Sequence, residues 1–86
     1  LIVMGPDVFE THTLPIEGTV TLGRDGDADI VLLDPQTSRR HARLHLGTVF
    51  EIEDLGSING TWLREERIPP NQRVRVWPGE AIRVGS

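Results

Sequence analysis

The chain has 86 residues and a mass of 9.6 kDa, which is the size of one small domain. It carries 13 acidic residues against 9 arginines and no lysine, and the net charge of −4 disfavours nucleic-acid binding, which depends on pairing basic side chains with phosphates. No apolar run approaches the roughly 20 residues that cross a bilayer. The absence of cysteine excludes disulfides and thiolate metal sites. A small anion held locally by a few arginines remains compatible with this composition.

Short runs in which every second residue is apolar predict β-strands, and no window shows helical spacing over three turns. In chain order the predicted strands are 1–4, 19–22, 29–32, 42–46, 48–53, 60–63, 73–76 and 82–84. Turns rich in Gly, Pro, Asn and Asp separate them. This spacing predicts an antiparallel β-sandwich or barrel. The large side chains expected to fill its core are Phe9, Phe50, Trp62 and Trp77.

Three segments at strand ends carry polar residues that are unusual for plain turns. They are Gly23-Arg24, the Thr-Ser-Arg-Arg-His run at 37–41, and the Asp-Leu-Gly-Ser-Ile-Asn-Gly-Thr run at 54–61. A sandwich presents its binding loops at strand ends. Together the segments supply guanidinium groups, a hydroxyl, an amide side chain and backbone exposed by glycine. This set of donors suits a phosphate that is attached to a peptide.

In their order and spacing these segments resemble the forkhead-associated (FHA) domain, a family that reads phosphothreonine peptides. The resemblance covers nearly the whole chain, from Leu22-Gly23-Arg24 through 29–32, 38–42 and 54–61 to 78–80 and 82–85. It implies an all-β fold, an antiparallel β-sandwich of about ten or eleven short strands with the peptide-binding loops at one end.

The resemblance also assigns the phosphopeptide contacts, position by position. Arg24 is expected to place its guanidinium on the phosphate, and Ser38 to donate its hydroxyl to a phosphate oxygen. Arg39 is expected to contact the phosphate or the nearby peptide, and Asn59 to hydrogen-bond the peptide backbone. The residues expected to shape the loops are Gly23, His41, Gly56 and Gly60, with Ser57 as a turn residue.

Ile58 departs from the common pattern of the family, which often has Thr between Ser57 and Asn59. Losing that hydroxyl removes a hydrogen bond to a charged group, worth about 1.5–3 kcal/mol. We therefore expect phosphate binding that is weakened but retained, and less secure discrimination of phosphothreonine from phosphoserine. Ile58 is still predicted to contact the peptide, through an apolar surface in place of the hydroxyl.

These residues predict recognition and not catalysis, with no cofactor and no metal. A phosphoresidue carries about −1.5 to −2 charges at pH 7, and the planar fork of Arg matches it better than Lys. The expected partner is a phosphothreonine-containing protein or peptide that is the substrate or partner of a Ser/Thr kinase. Neither nucleic acid nor a membrane is expected. We expect a cytoplasmic, bacterial protein of signal transduction or transcription regulation.

Two enzyme-like or metal-binding interpretations fail on sequence grounds. Ser38, His41 and an Asp could form a hydrolase triad, but the chain has no Gly-x-Ser-x-Gly elbow and little room for a cleft. The acidic run at 25–29 begins like a calcium loop, but its sixth position is Ile30 and not Gly. The remaining alternative is a phosphorylation-independent interaction or dimerisation domain on the same sandwich.

We interpret 1–86 as a single domain of a longer protein, because the chain begins and ends in strand-like runs. The resemblance predicts one further short strand after Gly85, which this sequence does not contain. An open sheet edge at that place predicts a monomer or a weak, strand-swapped dimer.

Overall fold

Ten short β-strands form two five-stranded sheets in the computed structural model, which describes residues 2–5, 8–11 and 17–84. The strands are β1 (Ile2–Gly5), β2 (Val8–Thr11), β3 (Gly18–Gly23), β4 (Ile30–Val31), β5 (Ala42–Leu46), β6 (Phe50–Asp54), β7 (Thr61–Leu63), β8 (Glu66–Arg67), β9 (Arg73–Val76) and β10 (Ala81–Val84). The first sheet has the order β2-β1-β10-β7-β8, and the second has the order β4-β3-β5-β6-β9. The predicted all-β sandwich is confirmed.

Most neighbouring strands run antiparallel, but two pairs run parallel. In the first sheet β1 lies parallel to β10, with Val3 opposite Ile82. In the second sheet β3 lies parallel to β4, with Leu22 opposite Ile30. Apolar alternation reports which face a side chain takes and carries no information on strand direction, so the sequence could not show these two pairings. The further strand expected after Gly85 lies outside the described residues.

The core between the sheets is aliphatic. Along β5 the side chains of Ala42, Leu44 and Leu46 are buried, while the intervening residues lie half-buried on the outer face. Leu44 lies opposite Ile52 of β6, so the two central strands put their apolar residues on the same side. The buried apolar residues are Val20, Leu22, Ile30, Leu32, Ala42, Leu44, Leu46, Ile52, Leu63, Ile68, Val76, Ile82 and Val84.

The expectation of an aromatic core was wrong for Trp77 and only partly right elsewhere. Trp77 follows the last residue of β9, is 51% exposed, and lies 3.8 Å below the Arg75 guanidinium. Trp62 is half-buried and falls between two inward-facing residues of β7. Phe50 is half-buried and packs against the core. The side chain of Phe9 lies outside the described residues.

The hairpin from β7 to β8 was not predicted. Its two turn residues, Arg64 and Glu65, have φ values of 53° and 63°, the left-handed conformation that a type I′ turn requires. Such turns normally carry Asn or Gly, so the Arg-Glu pair gave no turn signal.

In the part of the chain that is described, no helix is long and apolar enough to cross a membrane.

Three loops leave the sandwich at the same end. In the second sheet Leu22 pairs with Ala42, and Ala42 pairs with Asp54, so the end of β3, the start of β5 and the end of β6 are neighbours. The loops concerned are β3–β4 (24–29), β4–β5 (32–41) and β6–β7 (55–60). They contain all the residues predicted to contact a peptide.

Candidate functional site

The β4–β5 loop packs directly on the end of β3. The main-chain N–H of Arg24 donates to the Ser38 carbonyl over 3.0 Å, and the N–H of Asp25 donates to the Arg39 carbonyl over 3.1 Å. Gly23 lies under this contact, and a Cβ added there would overlap the carbonyl oxygen of Arg39. Glycine is therefore required at position 23 by the close approach of two backbones.

The Arg24 side chain is exposed and anchored at one nitrogen. Its Nε donates to the Thr37 carbonyl oxygen over 3.1 Å. The two terminal nitrogens of the guanidinium have no partner among the described residues. This anchoring directs the remaining donors of the planar fork outward, where they are available to an anion.

The Ser38 hydroxyl is oriented by the neighbouring loop. Its oxygen accepts a hydrogen bond from the main-chain N–H of Ile58 over 3.2 Å. The hydroxyl hydrogen has no acceptor among the described residues, so it can be donated to a ligand. This is the arrangement that the predicted phosphate contact needs.

Asn59 joins the β6–β7 loop to the β4–β5 loop. Its Nδ2 donates to the Gln36 carbonyl oxygen over 2.8 Å, across 23 residues of chain. The side-chain oxygen, Oδ1, remains as an acceptor for the N–H of a peptide backbone. Asn59 therefore has a role within the domain that the family resemblance did not assign, in addition to the predicted peptide contact.

His41 is fully buried between the same two loops. Its Nδ1 accepts a hydrogen bond from the main-chain N–H of Ser38 over 3.1 Å, and its Nε2 donates to the Gly60 carbonyl oxygen over 2.7 Å. Burial lowers the pKa of His41 below its usual value, because the charged ring would lose its hydration. The neutral ring with its proton on Nε2 satisfies both partners, and the structure thus places His41 as a link between loops.

The geometry of His41 also bears on the hydrolase interpretation. Both ring nitrogens are occupied by main-chain groups, and the ring contacts the N–H of Ser38 and not its hydroxyl. His41 is therefore not positioned to take a proton from Ser38. In the described part of the chain, no three His, Asp or Glu residues lie together as a metal site.

Asp54 organises the β6–β7 loop and was not singled out from the sequence. Its buried carboxylate accepts hydrogen bonds from the N–H groups of Gly56 and Ser57, the Ser57 hydroxyl and the Thr61 hydroxyl. Burial alone would raise the pKa of Asp54, but these hydrogen bonds outweigh burial and lower it. Ser57 is a turn residue, as expected, and its oxygen also accepts the N–H of Gly60. An Asp followed by Gly and Ser at two and three residues is the sequence signal for such a turn.

Arg67, which the sequence did not mark as a site residue, supports the β6–β7 loop. One terminal nitrogen donates to the carbonyl oxygens of Ser57 and Ile58, at 3.5 and 3.3 Å. Gly60 has a φ of 88°, and a Cβ there would overlap the Arg67 side chain. No motif marks Arg67, because only the β7–β8 hairpin brings it to this loop.

The five predicted contact residues lie at the same end of the sandwich. Arg24, Ser38 and Asn59 are tied to one another through the main chain of the β4–β5 loop. Ile58 is 84% exposed, so its apolar side chain faces solvent beside the Ser38 hydroxyl. Arg39 is exposed, and its side chain lines a depression beside the loops. Gly56 has a φ of 82°, in keeping with its predicted role in the turn.

The family model for the FHA domain matches residues 20–85. The chain belongs to the FHA domain family. Among relatives, the FHA domain-containing protein FhaB of Mycobacterium tuberculosis is 44% identical over 70 residues, which are 80% of this chain and 44% of FhaB. The glycogen accumulation regulator GarA of Mycolicibacterium smegmatis is 38% identical over 82 residues, which are 94% of this chain and 49% of GarA. The chain thus spans about half the length of these relatives.

Solved FHA domains share the fold. The FhaA FHA domain, solved in complex with the intracellular domain of a second protein, superposes with a TM-score of 0.76 at 35% identity, over 88% of this chain and 80% of that chain. The N-terminal FHA domain of Rad53p from S. cerevisiae, solved in complex with a phosphothreonine peptide, gives 0.72 at 30% identity, over 79% of this chain and 56% of that chain. The FHA domain is a binding module, and the site described above lies in its loops.

Substituting Gly23 tests the close packing of the β4–β5 loop on β3. We expect Gly23→Ala to lower the free energy of unfolding by about 1–3 kcal/mol, because the new methyl group displaces the Arg39 carbonyl. Gly26→Ala is the matched control, since a Cβ at Gly26 meets no atom within 4 Å. Urea unfolding of both variants measures the difference. Equal stability of the two variants would contradict the proposed packing.

Acid should weaken the fold through His41. Because its pKa in the folded protein lies below the usual 6.5, the unfolded chain takes up a proton first. The contribution of neutral His41 to the free energy of unfolding is complete above pH 6.5. It is lost as the pH falls from there towards the pKa of the folded protein, by up to about 1.4 kcal/mol per pH unit. Urea unfolding without ligand from neutral to mildly acid pH measures the slope, which His41→Gln should lack. An NMR titration that puts the His41 pKa at or above 6.5 would refute this, even if the variant does not fold.

Proposed function

We propose that this domain binds phosphothreonine peptides through the loops that follow β3, β4 and β6. The observation that carries the proposal is the pair formed by Arg24 and Ser38. Their main chains are joined by a hydrogen bond of 3.0 Å, and each side chain keeps donors that no described residue takes up. Two neighbouring donor groups of this kind suit the oxygens of one phosphate.

The remaining proposed contacts with the peptide follow from the arrangement of the same loops. The guanidinium of Arg24 and the hydroxyl of Ser38 donate hydrogen bonds to the phosphate dianion. Oδ1 of Asn59 accepts a hydrogen bond from an N–H of the peptide backbone. The loops are held by hydrogen bonds within the domain before any ligand arrives, through His41 and Asp54. Little ordering remains to be done on binding, which favours affinity. The phosphothreonine peptide bound by the Rad53p domain supports this assignment.

Recognition and not turnover is the chemistry that this site supports. His41 has both ring nitrogens engaged by main-chain groups, so it is not free to act as a general base towards Ser38. The donors present are those that bind a phosphate without cleaving it. We propose that the domain needs no metal or cofactor for this task.

At the level of the whole protein, we propose that the domain directs a longer regulatory protein to the phosphorylated substrate or partner of a Ser/Thr kinase. Relatives of about twice this length include GarA and the oxoglutarate dehydrogenase inhibitor of Corynebacterium glutamicum, whose names describe regulators. A cytoplasmic location in a bacterium fits such a role. We propose a domain that is a monomer or a weak, strand-swapped dimer and that binds no nucleic acid, in keeping with the net charge of −4.

Removal of the Arg24 guanidinium tests the function directly. We expect Arg24→Ala to weaken the binding of a phosphothreonine peptide by about 2–5 kcal/mol, because a charged pair shielded from water loses one partner. Calorimetric titration of phosphothreonine, phosphoserine and unphosphorylated versions of a peptide library measures this. Arg75→Ala is the control for charge, since Arg75 lies on β9 at the far end of the second sheet. Phosphate binding unaffected by Arg24→Ala would disprove the assignment.

A phosphorylation-independent interaction domain is the second candidate, and Ile58 is the observation that favours it. An apolar side chain that is 84% exposed stands beside Ser38, where the family often has Thr. It weakens the case for phosphate binding and offers an apolar contact to a partner. Equal affinity for phosphorylated and unphosphorylated peptides would make this second function the correct one.

Replacement of Ile58 by Thr separates these two roles. If the site binds phosphate, Ile58→Thr adds a hydroxyl beside Ser38, and we expect phosphopeptide affinity to rise by about 1.5–3 kcal/mol. Affinity for the unphosphorylated peptide should not change. Calorimetric titration of both peptides gives the comparison. If Ile58 instead forms an apolar contact to the partner, the variant binds both peptides more weakly.

A further inference from the structure

A depression of about 160 Å³ lies next to the candidate phosphate site, at the end of the second sheet. It is lined by Thr21 and Leu22 near the end of β3, by the β3–β4 turn, by the arginines at positions 39, 40 and 43, and by Leu55. Arg24, Ser38 and Asn59 do not line it, so it is a separate feature of the same end of the sandwich. We call it the Arg39–Arg43 depression, after the three arginines at positions 39, 40 and 43 that line it.

These three arginines differ from the other six in having no side-chain partner among the described residues. Arg39, Arg40 and Arg43 make no side-chain hydrogen bond, ion pair or ring contact within the described residues. The other six arginines each contact a partner: Arg24 with Thr37, Arg64 with Glu80, Arg67 with Ser57 and Ile58, Arg73 with Glu51, Arg75 with Trp77, and Arg83 with Trp62. The arginines whose side chains make no contact within the described chain are therefore gathered at one place.

Two carboxylates face the same depression without neutralising it. The Asp25 carboxylate accepts the N–H of Asp27 over 3.1 Å and so turns back into its own loop. No ion pair joins Asp25 or Asp27 to an arginine among the described residues. Three cations against two anions leave a formal excess of one positive charge at the wall formed by residues 39–43.

Apart from Thr21, the rest of the lining is apolar. Leu22 is fully buried, and Ala28 and Leu55 are half-buried along the depression. The position of the wall is set firmly, because the Arg39 carbonyl is bound by the N–H of Asp25 and the Leu55 N–H donates to the His41 carbonyl. A ligand for this shape has a short aliphatic stem and an anionic head. The side chain of Glu has this form, and so does a second phosphorylated residue.

We propose that the Arg39–Arg43 depression binds a second anionic side chain of the phosphopeptide, a carboxylate or a phosphate. The inference rests on the proposed function, because the phosphothreonine places the peptide across the adjacent loop. Arg39 follows Ser38 directly in the chain, and four extended residues span about 13 Å. An anionic residue within four positions of the phosphothreonine therefore reaches the depression. The Arg40 and Arg43 guanidinium groups then neutralise it.

The test is a set of phosphothreonine peptides in which Glu or Gln stands at each of the four positions on either side. We expect one position at which Glu binds about fivefold more tightly than Gln, the size of a charge pair partly shielded from water. Arg40→Gln and Arg43→Gln should each reduce this preference to less than about twofold. Arg75→Gln is the matched control, because it removes the same charge from the same sheet at the far end and should keep the preference.

Further arms separate the outcomes. Phosphoserine at the preferred position distinguishes the two sources of the anion, since a phosphate head binds more tightly than Glu only if the depression accommodates it. The absence of any position that prefers Glu or phosphoserine, or a preference that persists in both variants, overturns the inference. Each series includes a control peptide in which the threonine is not phosphorylated. Loss of phosphothreonine dependence indicates failure of the proposed function, whereas retained dependence without acid preference contradicts only this inference.

Discussion

The buried imidazole of His41 is the contact on which the binding end of this domain depends. It joins the main chain of Ser38 in one loop to the main chain of Gly60 in the next. With one nitrogen accepting and the other donating, only the neutral ring fits, which is why burial and a lowered pKa belong together here. Together with the hydrogen bonds from the Ile58 N–H to the Ser38 hydroxyl oxygen and from Asn59 Nδ2 to the Gln36 carbonyl, this link fixes the Ser38 hydroxyl relative to the Asn59 amide. The donors proposed to face the peptide are thus held in part by a residue whose ring nitrogens are both engaged within the domain.

The charged residues around this link fall into two groups, those that support the loops and those that are available to a ligand. Asp54 is buried and fully hydrogen-bonded to its own turn, and Arg67 supports the carbonyl groups on the other side of the same loop. These charges are satisfied within the fold. Within the described part of the chain, the terminal nitrogens of Arg24 and the three guanidinium groups of the Arg39–Arg43 depression have no partner. An acidic domain therefore retains a local attraction for phosphate while its net charge disfavours polyanions such as nucleic acid.

The sequence predicted more of the site than of the packing that supports it. The FHA motif placed Arg24, Ser38 and Asn59 at one end of the sandwich, and the structure brings them together. It gave no sign of Arg67, because a residue can reach a loop from another hairpin only after the chain has folded. For the aromatic residues the sequence was a poorer guide. Hydrophobic character alone suggested that Trp77 lies in the core, but Trp77 follows the last residue of β9 and is exposed.

By itself the sequence determined the all-β class, the strands with clear alternation, the loop motif and the FHA family. These features are local, because period-two patterning and turn residues act between near neighbours. Tertiary structure alone decided which strands run parallel, that a Cβ at Gly23 would meet the Arg39 backbone, and that three arginines without a partner among the described residues share one depression. Each of these depends on segments far apart in the chain meeting in space. The net charge of −4 is a property of composition, whereas the positive charge available to a ligand is a property of the fold.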